Sequence, residues 1–154
     1  MIDIDAMIKK EIENGYGDTN AQAKVCQDLI LKAIAKSSLN RLEGLTFKRK
    51  GKIKELKQQD YHGKRVYIEI TDSKGYSIEN KMNLGVHNKL DIEQDEFCFD
   101  IAYDDEGASL LINSNEQMIA EKLKSLLRFG TLSSRYKDIF DIYYLSCFLQ
   151  ALFA

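Results

Sequence analysis

The sequence has no proline and no low-complexity segment, so it lacks a usual signal of a linker between domains. It also has no apolar run as long as a membrane span and no basic-then-apolar leader, so nothing in it favours insertion or secretion. A chain of 154 residues with 44% hydrophobic and 30% charged residues is typical of one globular domain with a real core. We therefore expect a single domain over residues 1–154 and no contact with a membrane.

Cysteine and histidine are scarce and poorly spaced for a metal site. Cys26, Cys98 and Cys147 are odd in number, far apart and without a C-x-x-C spacing. His62 and His87 stand alone in turn-like contexts. These patterns argue against a zinc site and a disulfide framework. We expect reduced core thiols in a cytoplasmic protein, and histidines with surface or hydrogen-bonding roles.

Charge is nearly balanced, with a net charge of -2, but it is unevenly distributed. Residues Lys48 to Lys57 hold six bases against one acid. Such a patch can attract the phosphates of RNA, including the acceptor end of tRNA. It is equally typical of a solvated hairpin edge, where lysines oppose aggregation between strands. Both interpretations stay open, because clustered charge indicates location without specificity.

Apolar patterns predict helices at the start of the chain. We predict helices over residues 4–14 and 21–36, the second capped by Thr19 or Asn20. The helical spacing predicts a core face on the second helix, made of Val25, Leu29, Ile30, Ala33 and Ile34.

Strand-like alternation follows from residue 45 onward. The predicted strands cover 45–47, 65–71, 76–84, 98–103 and 108–112. Residues 72–75, Asp-Ser-Lys-Gly, form the clearest hairpin turn. The order predicts an α+β domain, with residues 1–41 helical, 42–112 in a mixed sheet and 113–154 helical.

The segment from Glu116 to Leu145 sets charged residues into an apolar helical pattern. Arg135, Asp138 and Asp141 recur every third residue, which places them on one polar stripe of a helix. An upstream helix, capped by Asn113 or Ser114, is expected to end at Phe129-Gly130-Thr131. We predict two helices joined by a short turn, with acids and bases along their seam. Taken alone, such spacings are most often surface salt bridges worth roughly a few tenths of a kcal/mol.

Three parts of this segment occur together: AEKL, an arginine six residues after its lysine, and RYKDIFDIYYL. This combination resembles the C-terminal signature of the AbiEii/AbiGii nucleotidyltransferase toxins, the abortive-infection branch of the polymerase-beta-like nucleotidyltransferase superfamily. The resemblance implies a nucleotidyltransferase-like fold and a toxin of a toxin-antitoxin system that acts in phage defence. It also implies transfer of a nucleotide from a nucleoside triphosphate to an RNA such as tRNA, and an antitoxin encoded beside the toxin.

The resemblance also assigns site residues. Lys122 would contact the triphosphate and Asp138 would be an acid near the nucleotide, so these two are our catalytic candidates. The nucleotide-binding candidates are Arg128, Arg135, Lys137 and Asp141. Of these, Asp141 is expected to orient Arg135 or Lys137. Mg²⁺ is the default metal for triphosphate chemistry, and the resemblance does not identify its ligands in this chain.

Two motifs of the superfamily are missing from the sequence. Its members have a Gly-Gly-x-x-x-(Arg/Ser) turn that seats the triphosphate and a strand with Asp-x-Asp that holds metal ions. Both would belong between Arg41 and Leu42, so we expect residues to be lost or unobserved there. The last residues, Leu145 to Ala154, are apolar and have no polar cap, so we expect either a truncated product or a helix that packs on further chain. Asn83 stands where a third carboxylate is expected, and it brings no charge.

Asp3-Ile4-Asp5 is a literal Asp-x-Asp, but no strand or glycine turn precedes it, so we do not expect it to be catalytic. The alternative to an active enzyme is a degenerate or truncated family member that binds nucleotide or a protein. A plain RNA-binding module built on the basic run is a third class.

Overall fold

A computed structural model describes residues 2–36, 42–56, 63–85, 94–130 and 136–152. Several residues named above lie outside these ranges: Arg41, Lys57, His62, His87 and Arg135. The described chain divides into two compact units, Met1–Leu90 with Phe97–Leu110, and Asp91–Glu96 with Leu111–Ala154. The expectation of a single domain over residues 1–154 stays a prediction.

The first helices and strands belong to the first unit. The helices are α1 (Ile4–Glu13) and α2 (Asp18–Ala35). The strands β1 (Leu45–Leu56), β2 (Gly63–Asp72) and β3 (Ser77–Leu84) form an antiparallel sheet in that order. A two-stranded sheet pairs β4 (Gln94–Ile101) with β5 (Asp104–Asn113), and α3 (Asn115–Phe129) and α4 (Tyr136–Leu152) lie in the second unit.

The predicted α+β class is confirmed. The prediction of a mixed sheet is wrong for the described residues, where the three-stranded sheet is antiparallel throughout. Between β2 and β3 a short turn explains this difference, since a four-residue connection can join only antiparallel neighbours. The turn at residues 72–75 is such a connection, as predicted. Gly75 there has φ 85°, and its N–H donates to the carbonyl of Asp72 at 3.1 Å.

The core of the first unit lies between α1, α2 and one face of the three-stranded sheet. Alternation along β2 and β3 directs Ile68, Ile70 and Ile78 to that face. The helices contribute fully or almost fully buried residues: Ile4, Ile8, Ala21, Val25, Cys26, Leu29, Ile30 and Ala33. Four of the five predicted core positions of α2 are therefore confirmed. Ile34 is wrong, because 43% of its surface is exposed.

Charged residues replace Ile34 on the buried side of α2. Lys32 is only 3% exposed, and its ammonium donates to the carbonyl of Gly107 and contacts Asp104 Oδ2, both at 2.6 Å. One helical turn earlier, the buried Asp28 accepts from Lys24 and from the backbone N–H of Ala102 at 3.2 Å. These bonds offset the cost of burying the charges and attach α2 to the hairpin formed by β4 and β5. Core periodicity alone missed them.

The N-cap predicted for α2 is wrong. The helix begins at Asp18 with Gly17 at the cap and no side-chain hydrogen bond there, so Thr19 and Asn20 lie in the first turn.

Asp72 was not predicted to have a role, yet it is 5% exposed and its carboxylate accepts from three backbone N–H groups. Two of them, Lys74 and Tyr76, belong to the hairpin turn, and the third, Ile4, opens α1.

All three cysteines are free, but only Cys26 is in a core. Burial raises the pKa of its thiol to about 11. The expectation of core thiols is wrong for Cys98 and Cys147, which are exposed.

We expect Cys26 to resist thiol reagents at pH 8, where only about one part in a thousand is thiolate. A colorimetric titration should find two fast thiols in native protein and a third only after denaturation. Fast reaction of the Cys26→Ser variant at one thiol only would contradict this assignment.

The surroundings of Gly107 leave no room for a larger side chain. Its φ is +65°, and an added Cβ would lie 2.6 Å from the backbone oxygen of Phe99 and 2.7 Å from Cys98 Sγ. Gly51 has nearly the same φ, +68°, with nothing within 4 Å of an added Cβ. Both alanine variants bear the cost of positive φ, so their difference isolates the steric overlap. We expect Gly107→Ala to lose about 1–3 kcal/mol more unfolding free energy than Gly51→Ala in urea titrations. Equal losses would contradict the close approach.

Candidate nucleotide site on the C-terminal helix pair

The first helix of the pair, α3, has clear signals at both ends. Ser114 precedes it, and its side-chain oxygen accepts from the N–H of Gln117 at 3.3 Å. Gly130 follows it with φ 66°, and its N–H donates to the carbonyl of Leu126 at 2.9 Å. The predicted cap at Ser114 and stop at Gly130 are therefore confirmed.

A lysine from α3 and two aspartates from α4 meet across the helix pair. Lys122 Nζ donates to Asp141 Oδ2 at 2.7 Å and lies 3.7 Å from Asp138 Oδ1. The two aspartates are one helical turn apart, so both carboxylates reach the same ammonium. The structure thus brings together Lys122, Asp138 and Asp141, hereafter the helix-pair cluster.

The helix-pair cluster is half-buried. Side-chain exposure is 26% for Lys122, 18% for Asp138 and 26% for Asp141. This burial keeps water from fully screening the charges while leaving each head group open to a solute. Two carboxylates against one ammonium give the cluster a formal charge of −1. It can therefore receive a cation directly, whereas a polyphosphate needs an accompanying cation to approach it.

The nucleotide-binding candidates lie in different settings. Arg128 is exposed in the last turn of α3, and Lys137 is exposed in the first turn of α4 beside Asp138. Arg135 falls outside the described residues. Asp141 was expected to orient Arg135 or Lys137, and the structure gives it a different partner, because its carboxylate accepts from Lys122.

The chemistry of the donors decides whether a metal fits. Within the described ranges, no group of three or more His, Cys, Asp or Glu side chains could hold a metal ion. Asp138 and Asp141 nevertheless converge on one point, and their oxygens are the ligand type that Mg²⁺ prefers. Mg²⁺ commonly binds through one or two carboxylates together with substrate phosphates. The helix-pair cluster fits an ion that arrives with a triphosphate, and it does not supply the carboxylates of a two-ion centre.

Asp3-Ile4-Asp5 has a structural role in the first unit. Asp3 is the N-cap of α1, and its carboxylate accepts from the N–H of Ala6 at 3.1 Å and from Lys74. The hydrogen bond from Lys74 holds the pKa of Asp3 below its usual value. Asp5 pairs with Lys9 one turn later on the same helix. Helix capping and surface pairing account for both carboxylates.

Asn83 also lies in the first unit, on β3. Its side-chain carbonyl oxygen accepts from Nε of Arg65 at 2.9 Å on an exposed face of the sheet. This oxygen, which could have ligated a metal, is therefore engaged by a cation.

Comparisons with known proteins give one match. The family model described as "Nucleotidyl transferase AbiEii toxin, Type IV TA system" matches residues 2–149. No curated protein and no solved structure matches the chain. Each helix within the described ranges is too short or too polar to cross a membrane. Since the family model covers almost the whole sequence and includes the helix-pair cluster, the chain belongs to the AbiEii family of nucleotidyl transferase toxins from type IV toxin-antitoxin systems.

Proposed function

We propose that this toxin transfers a nucleotide from a nucleoside triphosphate to an RNA acceptor such as tRNA, with the helix-pair cluster at its nucleotide site. The observation that supports this most directly is the convergence of Lys122 with Asp138 and Asp141, which joins the AEKL and KDIFD parts of the signature in space. Two half-buried acids of α4 contact one lysine of α3, so the acidic and basic residues of the signature lie at one point between the helices.

Nucleotidyl transfer is an in-line displacement at the α-phosphorus. The acceptor hydroxyl oxygen forms the new bond to phosphorus and its proton passes to water, while the bond from phosphorus to the bridging oxygen breaks and pyrophosphate leaves with the negative charge. In our proposal Lys122 turns from Asp141 to the triphosphate and neutralises that charge, as an ammonium aimed into a partly dry site can. Arg128, Arg135 and Lys137 add polyphosphate contacts.

Asp138 and Asp141 would hold Mg²⁺ that enters with the triphosphate. The ion would supply charge neutralisation at the phosphate oxygens. It would also bring the cluster from a formal charge of −1 to +1, which removes its repulsion toward the polyphosphate. Asp141 has a further role as a positioning residue, because it holds Lys122 between the two helices before the substrate binds.

A second candidate function is nucleotide binding without transfer. It is favoured by the missing glycine turn and Asp-x-Asp strand, and by the absence of a larger carboxylate group among the residues described. A protein of this kind would act by binding nucleotide or a partner such as its cognate antitoxin. In either case the toxin would restrict growth and thereby serve in phage defence.

One experiment separates the two candidates. The purified protein is incubated with Mg²⁺, total RNA and each of the four nucleoside triphosphates labelled at the α-phosphate. Label that moves into RNA and survives denaturing electrophoresis supports transfer, and omission of Mg²⁺ should abolish it. Label that is retained on the native protein but never enters RNA supports binding alone and overturns the transferase proposal.

A further inference from the structure

The three-stranded sheet has a second face, opposite the one packed on the helices. Directly opposed residues of an antiparallel sheet point to the same face. The register aligns Lys50 with Tyr67 and Tyr67 with Lys81. It also aligns Lys54 with Arg65 and Arg65 with Asn83. These six residues share the outward sheet face, because Ile68 and Ile70 alternate with Tyr67 and point into the core.

Acids on the outward sheet face are confined to one end. Glu69 and Glu79 are opposed to each other, and Lys50 forms ion pairs with both. Toward the other end, Lys54, Arg65 and Lys81 have no ion pair with any residue that the structure describes. Among the described residues, this end of the face therefore carries positive charge on all three strands without an acid paired to it.

Neutral partners hold two of these cations in place. Lys54 Nζ lies 5.2 Å from the ring centroid of Tyr67, a cation–π contact. Nε of Arg65 donates to Asn83 at 2.9 Å, which orients the guanidinium without neutralising it. Guanidinium groups match the geometry of phosphate oxygens and can bind them through two parallel hydrogen bonds. The face is thus charged, ordered and open.

Protection of a sheet edge does not account for this arrangement. The strand order is β1-β2-β3, so lysines on β1 and β3 could oppose pairing with other chains. Arg65, however, is on the central strand β2, where no edge needs protection. An anionic ligand that lies across the strands explains all three cations together.

We propose that RNA docks by its phosphate backbone on the outward sheet face, with Lys54, Arg65 and Lys81 as the principal contacts. This inference rests on the proposed function in one respect, since it takes the acceptor to be RNA. It adds that the acceptor binds to the first unit. The family signature on the helix pair does not indicate this location. The surface reads the backbone and carries no sequence specificity of its own.

Binding is tested without nucleotide or Mg²⁺. A fluorescently labelled single-stranded RNA of roughly 20 nucleotides is titrated with the full chain, and anisotropy is read at several salt concentrations between roughly 50 and 200 mM. Three phosphate contacts predict that log K falls with log salt at a slope of about −2, at about −0.7 per contact on a single strand. Lys54→Gln/Arg65→Gln should weaken binding at least about tenfold and reduce the slope by about 1.4.

The matched control is Arg49→Gln/Lys64→Gln. These residues neighbour the outward cations on the same two strands, β1 and β2, but the register places them on the opposite face. Both double variants remove the same charge, and thermal unfolding verifies that both are folded. Wild-type affinity in the control supports the proposal. An equal loss in both variants, no RNA binding by the wild type, or equal competition by polyglutamate would overturn it.

The assay keeps this inference separate from the proposed function. RNA binding that depends on the outward sheet face, without nucleotide transfer, would support docking and overturn only the transferase. Transfer with an unchanged Michaelis constant for RNA in Lys54→Gln/Arg65→Gln would support the transferase and overturn only the docking surface.

Discussion

Lys122→Ala and Asp138→Ala should each lower nucleotide transfer to RNA by about 10²–10³-fold, the effect of removing one preorganised group that stabilises charge in a transition state. Lys122 is the cation of the helix-pair cluster, and Asp138 is its least exposed carboxylate. The measurement is the initial rate of incorporation of α-labelled nucleotide. Far-UV circular dichroism verifies that the helices are retained.

Lys124→Ala is the matched control for this prediction. Lys124 is an exposed residue two positions farther along α3, and the resemblance gives it no role. We expect its variant to keep wild-type activity. Asp141→Asn should raise the Michaelis constant for nucleotide more than it lowers the turnover number. The asparagine oxygen can still accept the hydrogen bond from Lys122, but the side chain no longer carries a negative charge. Full activity in both Lys122→Ala and Asp138→Ala would sink the site assignment.

The largest effect on stability is expected from Lys32→Met, which should lower the free energy of unfolding by about 3 kcal/mol. Methionine preserves the packing of the side chain but leaves Asp104 and the Gly107 carbonyl without their shared donor. The measurement is urea unfolding followed by circular dichroism. The double variant Lys32→Met/Asp104→Asn should recover part of the loss, since it removes the unpaired carboxylate. Lys9→Met, in an exposed helix pair, should change stability little.

The Lys32 prediction has a matching pH dependence. The hydrogen bond from Lys32 holds the pKa of Asp104 below its ordinary value of 3.8. A carboxyl with a depressed folded-state pKa adds stability above its unfolded pKa, and that stability is lost as pH falls through the folded value. The stability difference between wild type and Lys32→Met should therefore be largest near neutral pH and narrow below about pH 4. A difference that grows on acidification would contradict the ion pair.

The sequence predicted helix ends and turns well where they depend on residues close together in the chain. The cap at Ser114, the stop at Gly130 and the turn at residues 72–75 depend on side chains and backbone conformations within a few residues. The cap of α2 was misplaced because two polar residues near its start looked equally suitable, while the helix begins earlier, at Asp18.

The sequence pattern within α2 did not predict that its charged residues Asp28 and Lys32 are buried. Lys24, Asp28 and Lys32 follow each other at i,i+4, a spacing that most often belongs to ion pairs on an exposed helix surface and gives no sign of burial. Lys32 is buried only because Asp104 and Gly107, more than 70 residues away in the chain, supply its partners. Ile34 is two positions after the buried Lys32, so its side chain points to roughly the opposite side of the helix and is exposed.

The candidate site likewise has features that the sequence predicts and features that depend on the tertiary structure. The sequence by itself determined the α+β class, the helix pair and the family, because periodicity, capping and a short signature are carried by neighbouring residues. Only the tertiary structure decided that Asp141 holds Lys122, and that Lys54, Arg65 and Lys81 share one face of a sheet. Partner choice across helices and register across strands are set by packing between distant segments, which no spacing within one segment encodes.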